Sequence, residues 1–285
     1  MVPGRVAGKI RLPVSHGAVR GRAAIMARML MSARVRRIGA FEERFARAQA
    51  SRVVEFDWGY VLLQAEYPAS WQHNRVVVTS AVDPAEVVAA ADEVLGGAGH
   101  THRLVQFNDD VAGESAATTF EAAGYQVHER IVTMIHSGAL PARTGNRVKA
   151  IEFDQLRPAL LHDWRADYPD DTDEQITQLA DRVLLYARGA EVAFLAVQSP
   201  TGEVIARGEL YVADGIAQFE NLITRPESRG EGHGRQLVTE ALHRAREAGA
   251  DLSFLIAEAT DWPRSWYRRL GYQDANQTHV YQRVP

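Results

Sequence analysis

Apolar and polar positions alternate along the chain in short runs, and the period switches repeatedly between two residues and roughly 3.6, as strands and helices require in turn. Gly59-Tyr-Val-Leu-Leu-Gln and Arg75-Val-Val-Val-Thr are dense in β-branched and large apolar residues and predict strands. Pro84 to Leu95 carries Ala, Val and Leu at helical spacing, with proline in the first turn and Gly96-Gly97 behind it, and predicts a helix. A strand at Leu104-Val-Gln-Phe follows, then a helix through Phe120, a break at Gly124-Tyr125 and a long alternating strand from Gln126 to His136. Ser137 to Asn146 is poor in large apolar residues and reads as a linker. Beyond it come two helical stretches, Phe153 to Ala166 and Glu174 to Ala187. Strands at Val192 to Val197, Val204 to Val212 and Ile216 to Thr224 are joined by turn-forming Ser199-Pro-Thr-Gly and Ala213-Asp-Gly, which predicts an antiparallel meander. A helix over Gly234 to Ala248, a strand at Ser253 to Ala257, a short helix near Arg264 to Leu270 and a last strand at His279 to Val284 complete the pattern.

The two halves repeat one another. Ala98-Gly99 and Leu104-Val105 recur 150 positions later as Ala248-Gly249 and Phe254-Leu255, and Phe120-Glu-Ala-Ala-Gly-Tyr recurs 147 positions later as Tyr267-Arg-Arg-Leu-Gly-Tyr. Duplication of one unit explains this most simply. With 285 residues the chain also has the length of two ordinary domains. The expectation is an α/β fold with mixed sheets, mostly antiparallel and flanked by helices, divided into 1–48 as an N-terminal extension, 49–138 and 147–285.

Composition changes this picture in two places. There is no cysteine, which removes disulfides, thiolate metal sites and thiol nucleophiles together, and His73, His100 and His102 do not have the helical spacing of a metal site. His73, His100 and His102 read as isolated surface or turn residues. Charge is strongly asymmetric: residues 1–48 hold eleven Lys/Arg against Glu42 and Glu43, while the whole chain is at -4. Such a leader suits a nucleic-acid-binding arm or a targeting peptide, but the plainer expectation is a solvated, partly disordered tail, or an upstream extension with Met26, Met29 or Met31 as the natural start. Nucleic acid is not the expected partner. No apolar run is long enough to span a bilayer and no signal-peptide core is visible, so no membrane association and a cytoplasmic location are expected. A C-terminal edge strand would suit pairing between subunits in a homo-oligomer.

The candidate chemistry lies where the strand ending at Thr224 turns into the next helix. The segment reads Thr224-Arg-Pro-Glu-Ser-Arg-Gly-Glu-Gly-His-Gly-Arg-Gln-Leu237. A helix N-terminus offers unpaired N–H groups and roughly half a positive charge, glycines let a ligand approach the backbone, and Arg229 and Arg235 add cations. Its R-G-x-G-x-G spacing is neither that of dinucleotide folds nor that of phosphate-binding loops. It resembles the pyrophosphate-binding motif of the GNAT superfamily of N-acetyltransferases, with Thr224 and His233 replacing the more usual Val and Ile. Trp266-Tyr-Arg-Arg-Leu-Gly-Tyr272 is similar to that family's second motif, although Thr260 and Asp261 stand where its asparagine is common.

The resemblance implies an acetyl-CoA-dependent N-acetyltransferase in tandem arrangement, acting on a primary amine, with a small-molecule acceptor favoured over a protein. It implies donor contacts from Leu222, Ile223, Thr224, Arg229, Gly230, Glu231, Gly232, His233, Gly234 and Arg235, and a general acid at Tyr267. Direct transfer needs a neutral amine, and Glu220 is the candidate base. Glu209 faces the same cleft if the strand phase is right, but the plainer expectation is an exposed strand carboxylate, and the acidic run Asp170, Asp171, Asp173 and Glu174 reads as a solvated loop able to attract a cation. The matching place in the first half, Ala81-Val-Asp-Pro-Ala-Glu-Val87, has no such glycines and two carboxylates, so that half is expected not to bind the donor. The competing reading is a non-catalytic acyl-CoA sensor or interaction module.

Overall fold

The computed structural model describes residues 16–143, 145 and 147–284. The first fifteen residues of the basic leader, and Thr144 and Asn146 of the expected linker, lie outside the described residues. The elements run α1 (His16–Gln49), β1 (Arg52–Phe56), β2 (Gly59–Leu63), β3 (Arg75–Val78), α2 (Pro84–Gly97), β4 (Arg103–Phe107), α3 (Asp110–Ala122), β5 (Val127–His136), β6 (Val148–Ile151), α4 (Phe153–Asp167), α5 (Asp173–Asp181), β7 (Glu191–Gln198), β8 (Val204–Ala213), β9 (Ile216–Thr224), α6 (His233–Glu247), β10 (Leu252–Glu258), α7 (Trp262–Arg269) and β11 (Tyr272–Arg283). A 3-10 segment, Arg182–Arg188, continues α5.

All eleven strands form one mixed sheet in the order β1-β2-β3-β4-β11-β5-β10-β9-β8-β7-β6. Among the described residues only β3/β4 and β9/β10 are parallel; the other pairs are antiparallel. Four strands lie on one side of the β11/β5 pair and five on the other, and each half contributes its last strand to the other: β5 lies between β10 and β11, and β11 between β4 and β5. The sheet is therefore continuous across the linker between the two expected halves, and separating them would break both of these ladders. Local hydrophobic pattern carries no information about which neighbour a strand pairs with, so this exchange is invisible in the sequence.

Period-two alternation divides the sheet into two faces. Along β10, Leu255 packs with α6 while Phe254 packs with α1 and α4, and along β3 Val76 and Val78 pack with α2 and α3 while Val77 faces α1. Helices α2, α3, α6 and α7 thus share one face, and α1, α4 and α5 lie over the other.

The basic leader departs from its expected solvated state. Residues from His16 are helical, and Ile38 and Phe41, at 2% and 1% exposure, pack with Ile135, Tyr211 and Phe254, with Phe45 beside them. These positions have i, i+3, i+7 spacing, and burying side chains of this size is worth roughly 1.5–3 kcal/mol each, enough to dock the helix despite its charge. The arginines find carboxylates on the body: Arg37 pairs with Asp251 at 2.6 Å, Arg44 with Asp214 at 2.8 Å and Arg47 with Glu55 at 2.5 Å. The charge asymmetry is thus partly an internal complement. Strands β1 and β6 are further departures, each short and added at a sheet edge.

Candidate functional site

Strands β9 and β10 pair in parallel from Ile216/Leu252 only as far as Gln218/Phe254. Beyond that β10 stays on β5 out to Glu258, while β9 continues with β8, and the two diverge into a crevice. The divergence coincides with a bulge: the β8/β9 register shifts between Arg207/Ile223 and Glu209/Glu220, and Asn221 takes φ 54°. Asparagine tolerates this left-handed conformation better than most residues, and here its amide donates to Glu209 Oε2 at 2.9 Å.

On the α6 face, Leu222 leads from the bulge towards the glycine turn. A short 3-10 turn, Pro226–Ser228, carries the chain into Gly230 and Gly232, with φ 82° and 83° and open space where a Cβ would stand. Gly232 is the N-cap of α6, and no side chain caps this helix. The positive end of α6 is therefore open at the mouth of the crevice, as an anion site requires. Arg229 holds the turn to the strand by donating from Nε to the Thr224 carbonyl at 3.1 Å. Arg235 and Glu231 are exposed, whereas His233 is buried, with neither ring nitrogen hydrogen-bonded although Glu231 Oε2 lies 3.2 Å from Nε2. Gly234 faces Trp266 and Leu222: a Cβ there would lie 3.5 Å from the indole and 3.8 Å from Leu222 Cδ2. Tyr267, 8% exposed, is in the core cluster shared by α6 and α7, its ring 5.0 Å from that of Trp266. Burial, reinforced by the Glu220 charge, pushes its phenol well above the usual range, so it is protonated at neutral pH. Asp261 does not reach the site but caps α7, accepting from Trp262 N at 2.7 Å.

On the opposite face lies a cleft of about 690 Å³, walled by α1, the 69–75 segment, β5, α4, α5 and the 3-10 segment after it. Glu220 is on its floor beside the crevice. Burial raises its carboxyl to about 8, against the Gln218 amide, which donates to Oε1 at 2.8 Å; Glu42 and Glu209 raise it further, and the Ile256 N–H opposes them. Glu209, expected as an exposed carboxylate, is instead 1% exposed and accepts from Tyr211 Oη and Asn221. It is the cross-strand partner of Glu220. The strand phase is the cause: it puts Arg207, Glu209 and Tyr211 on the covered face.

Glu42, discounted as part of the leader, also lines the cleft, its carboxyl raised by burial to about 7 against the Arg75 charge. Its helical spacing with Phe45 and Gln49 is the signal that places it there. Of the acidic run only Asp171 reaches the cleft; Asp173 is fully exposed and pairs with Arg165 at 2.5 Å. His73 and His102 are buried rather than superficial, bonded to Ser70 and Gln49 and to the Asn74 carbonyl, and burial lowers them to about 3 and 4. They are neutral structural residues.

The acetyltransferase (GNAT) domain model matches residues 182–274, and that segment is a GNAT acetyltransferase domain. Among solved structures, the chain resembles a functionally unknown conserved protein from Staphylococcus epidermidis (TM-score 0.64, 13% identity, 82% of this chain and 94% of that one). It also resembles a GCN5-related N-acetyltransferase from Kribbella flavida (TM-score 0.59, 20% identity, 86% and 94%) and a tandem GNAT protein from the clavulanic acid biosynthesis pathway (TM-score 0.54, 14% identity, 81% of each). These likenesses establish the fold. No curated protein matches in sequence. GNAT domains take acetyl-CoA as donor, and the open α6 terminus and the two left-handed glycines fit its diphosphate. No helix among the described residues is long and apolar enough to cross a membrane.

Proposed function

We propose that the chain is an acetyl-CoA-dependent N-acetyltransferase acting on the primary amine of a small molecule. The donor lies on the α6 face, its diphosphate on the N–H groups of residues 230–235 and its pantetheine arm along Leu222, Ile223 and Thr224 in the crevice. The acceptor enters from the opposite face and presents its amine at Glu220. The observation that carries this reading is the crevice itself: it opens between an uncapped helix terminus on one face and a titratable carboxyl in an open cleft on the other. Glu220 accepts the ammonium proton directly or through water, the neutral amine attacks the acetyl carbonyl, and Tyr267 returns a proton to the departing thiolate. A carboxyl raised to about 8 matches the task of a base near neutrality better than an ordinary glutamate. The first half supplies no second donor site; it walls the acceptor cleft.

Calorimetric titration with acetyl-CoA tests the donor half of this reading. Micromolar binding is expected for the wild type, with a loss of about 100-fold or more in a Gly232→Asp, Gly234→Asp double variant, which opposes the diphosphate with two carboxylates and strains the left-handed N-cap. Absence of wild-type binding overturns it. A chain that binds acetyl-CoA but releases no thiol with any amine in a broad panel would be a sensor instead.

A further inference from the structure

The cleft is charged unevenly. Its described cations are Arg75 of β3 and Arg182 at the start of the 3-10 segment, one from each half, and neither has a carboxylate within ion-pairing distance. Arg75 Nη1 donates to the carbonyl and, at 3.0 Å, to the amide oxygen of Gln72; Arg182 Nη1 donates to the buried Ser70 hydroxyl at 2.8 Å, and its guanidinium lies 4.7 Å from the Trp164 ring centre. Every one of these partners is neutral. In both side chains Nε is buried and has no hydrogen-bond partner. His73 stands by both arginines, and burial and their two charges keep it neutral, so it neither compensates them nor adds a third positive charge. Elsewhere the arginines of this chain are commonly ion-paired, even at exposed positions such as Arg37 and Arg44. Two partly buried guanidinium groups held on neutral partners are costly unless something that enters the cleft completes them. Glu42, which feels the Arg75 charge without forming an ion pair with it, and Glu220 line the same cleft.

Resting on the acetyltransferase reading, we propose that the acceptor is an amino-acid-like zwitterion, its carboxylate held by Arg75 and Arg182 and its amine directed at Glu220. Guanidinium groups recognise carboxylates through N–H donors, and the Nη2 groups of Arg75 and Arg182, which are not buried and donate to nothing among the described residues, are what such a group would take up. The cleft volume, about 690 Å³, is within the range of small-molecule sites. Trp164 and Tyr186 on its walls offer apolar surface to the remainder of the molecule.

The test uses the full chain, acetyl-CoA and a panel of free amino acids, each matched with its own carboxamide, with thiol release as the readout. For the accepted side chain, kcat/KM is expected to be at least about tenfold higher for the carboxylate than for the carboxamide. In Arg182→Gln and Arg75→Gln this ratio is expected to fall towards one. The wild-type ratio decides the matter even if a variant folds poorly. Equal or better use of the carboxamides, or a ratio unchanged in both folded variants, overturns the zwitterion proposal while leaving the acetyltransferase reading intact. Failure of every member of the panel alongside bound acetyl-CoA also overturns it, whereas failure to bind acetyl-CoA at all removes both.

Discussion

Each half sends a parallel strand into a helix on the same face of the sheet, at β9–α6 and at β3–α2, and the two junctions are built to opposite ends. At β9–α6 the strands part after Gln218/Phe254, two left-handed glycines make the turn, and the helix N-terminus has no side-chain cap. At β3–α2 the strands stay together to their ends at Val78/Phe107, and the Asn108 N–H continues the pairing onto the Val78 carbonyl at 3.0 Å. There Asp83 caps its own helix, accepting from Ala85 N at 2.9 Å, and Glu86 accepts from Trp58 Nε1 at 2.8 Å. A carboxylate of the chain already occupies the place an incoming anion would take. The same topology is thus an open site in one half and a closed structural joint in the other, and the difference rests on a handful of residues at each junction.

The comparison is broken most strongly from the α7 side, because a crevice without its acid should still bind. Tyr267→Phe is expected to lower kcat by about 100-fold while leaving acetyl-CoA affinity within about twofold, since only the proton transfer is removed. Steady-state thiol release beside calorimetry reads both quantities. Equal losses in kcat and in donor affinity would make Tyr267 a packing residue of the α6–α7 core.

A smaller effect, about tenfold, is expected from Glu220→Gln, and it has a pH signature. With the carboxyl at about 8, the protonated form dominates at pH 7 and the basic form above pH 8, so a base role makes the wild-type rate climb through that region. The acceptor amine adds its own titration, so the informative quantity is the wild-type profile divided by that of the variant. This ratio should rise between pH 7 and 9 and then level. A flat ratio would mean that water alone relays the proton. The shift has a stability counterpart of definite sign. A carboxyl raised on folding favours the native state at low pH, and that contribution is lost as pH rises from its unfolded value through about 8.

Legibility in the sequence followed the range of the interactions involved. Elements set by local periodicity and turn chemistry, such as α2, α6 and the β7–β9 meander, could be read to within a residue or two, and so could the glycine turn, because Gly230 and Gly232 report a backbone conformation directly. Glu209 keeps regular alternation with Arg207 and Tyr211, and its burial is hidden in the sequence because the helices that cover that face, α1 and α4 among them, come from distant parts of the chain. The docking of α1 is masked in the sequence by its arginines, which obscure the i, i+3, i+7 spacing of Ile38, Phe41 and Phe45. Strand exchange between halves, and with it the cleft holding Arg75, Arg182, Glu42 and Glu220, depends on pairings far apart in the chain that no local pattern records.

The smallest expected effect is the sharpest check on what distinguishes the junctions. Asp83→Gly, Glu86→Gln removes both carboxylates from the α2 terminus and imitates the chemistry of the α6 turn without its geometry. If an open helix terminus alone made the site, this variant would gain a second, weak acetyl-CoA event in calorimetry. If the parting of the strands is the deciding feature, none appears, because β3 and β4 offer no unpaired edge along which the pantetheine arm can lie, and a helix terminus by itself contributes too little to hold it. The second outcome is expected, with a loss of about 1 kcal/mol in stability from the missing cap, measured by denaturant unfolding. Binding stoichiometry should remain one donor per chain, set by the single place in the sheet where two parallel strands let go of each other.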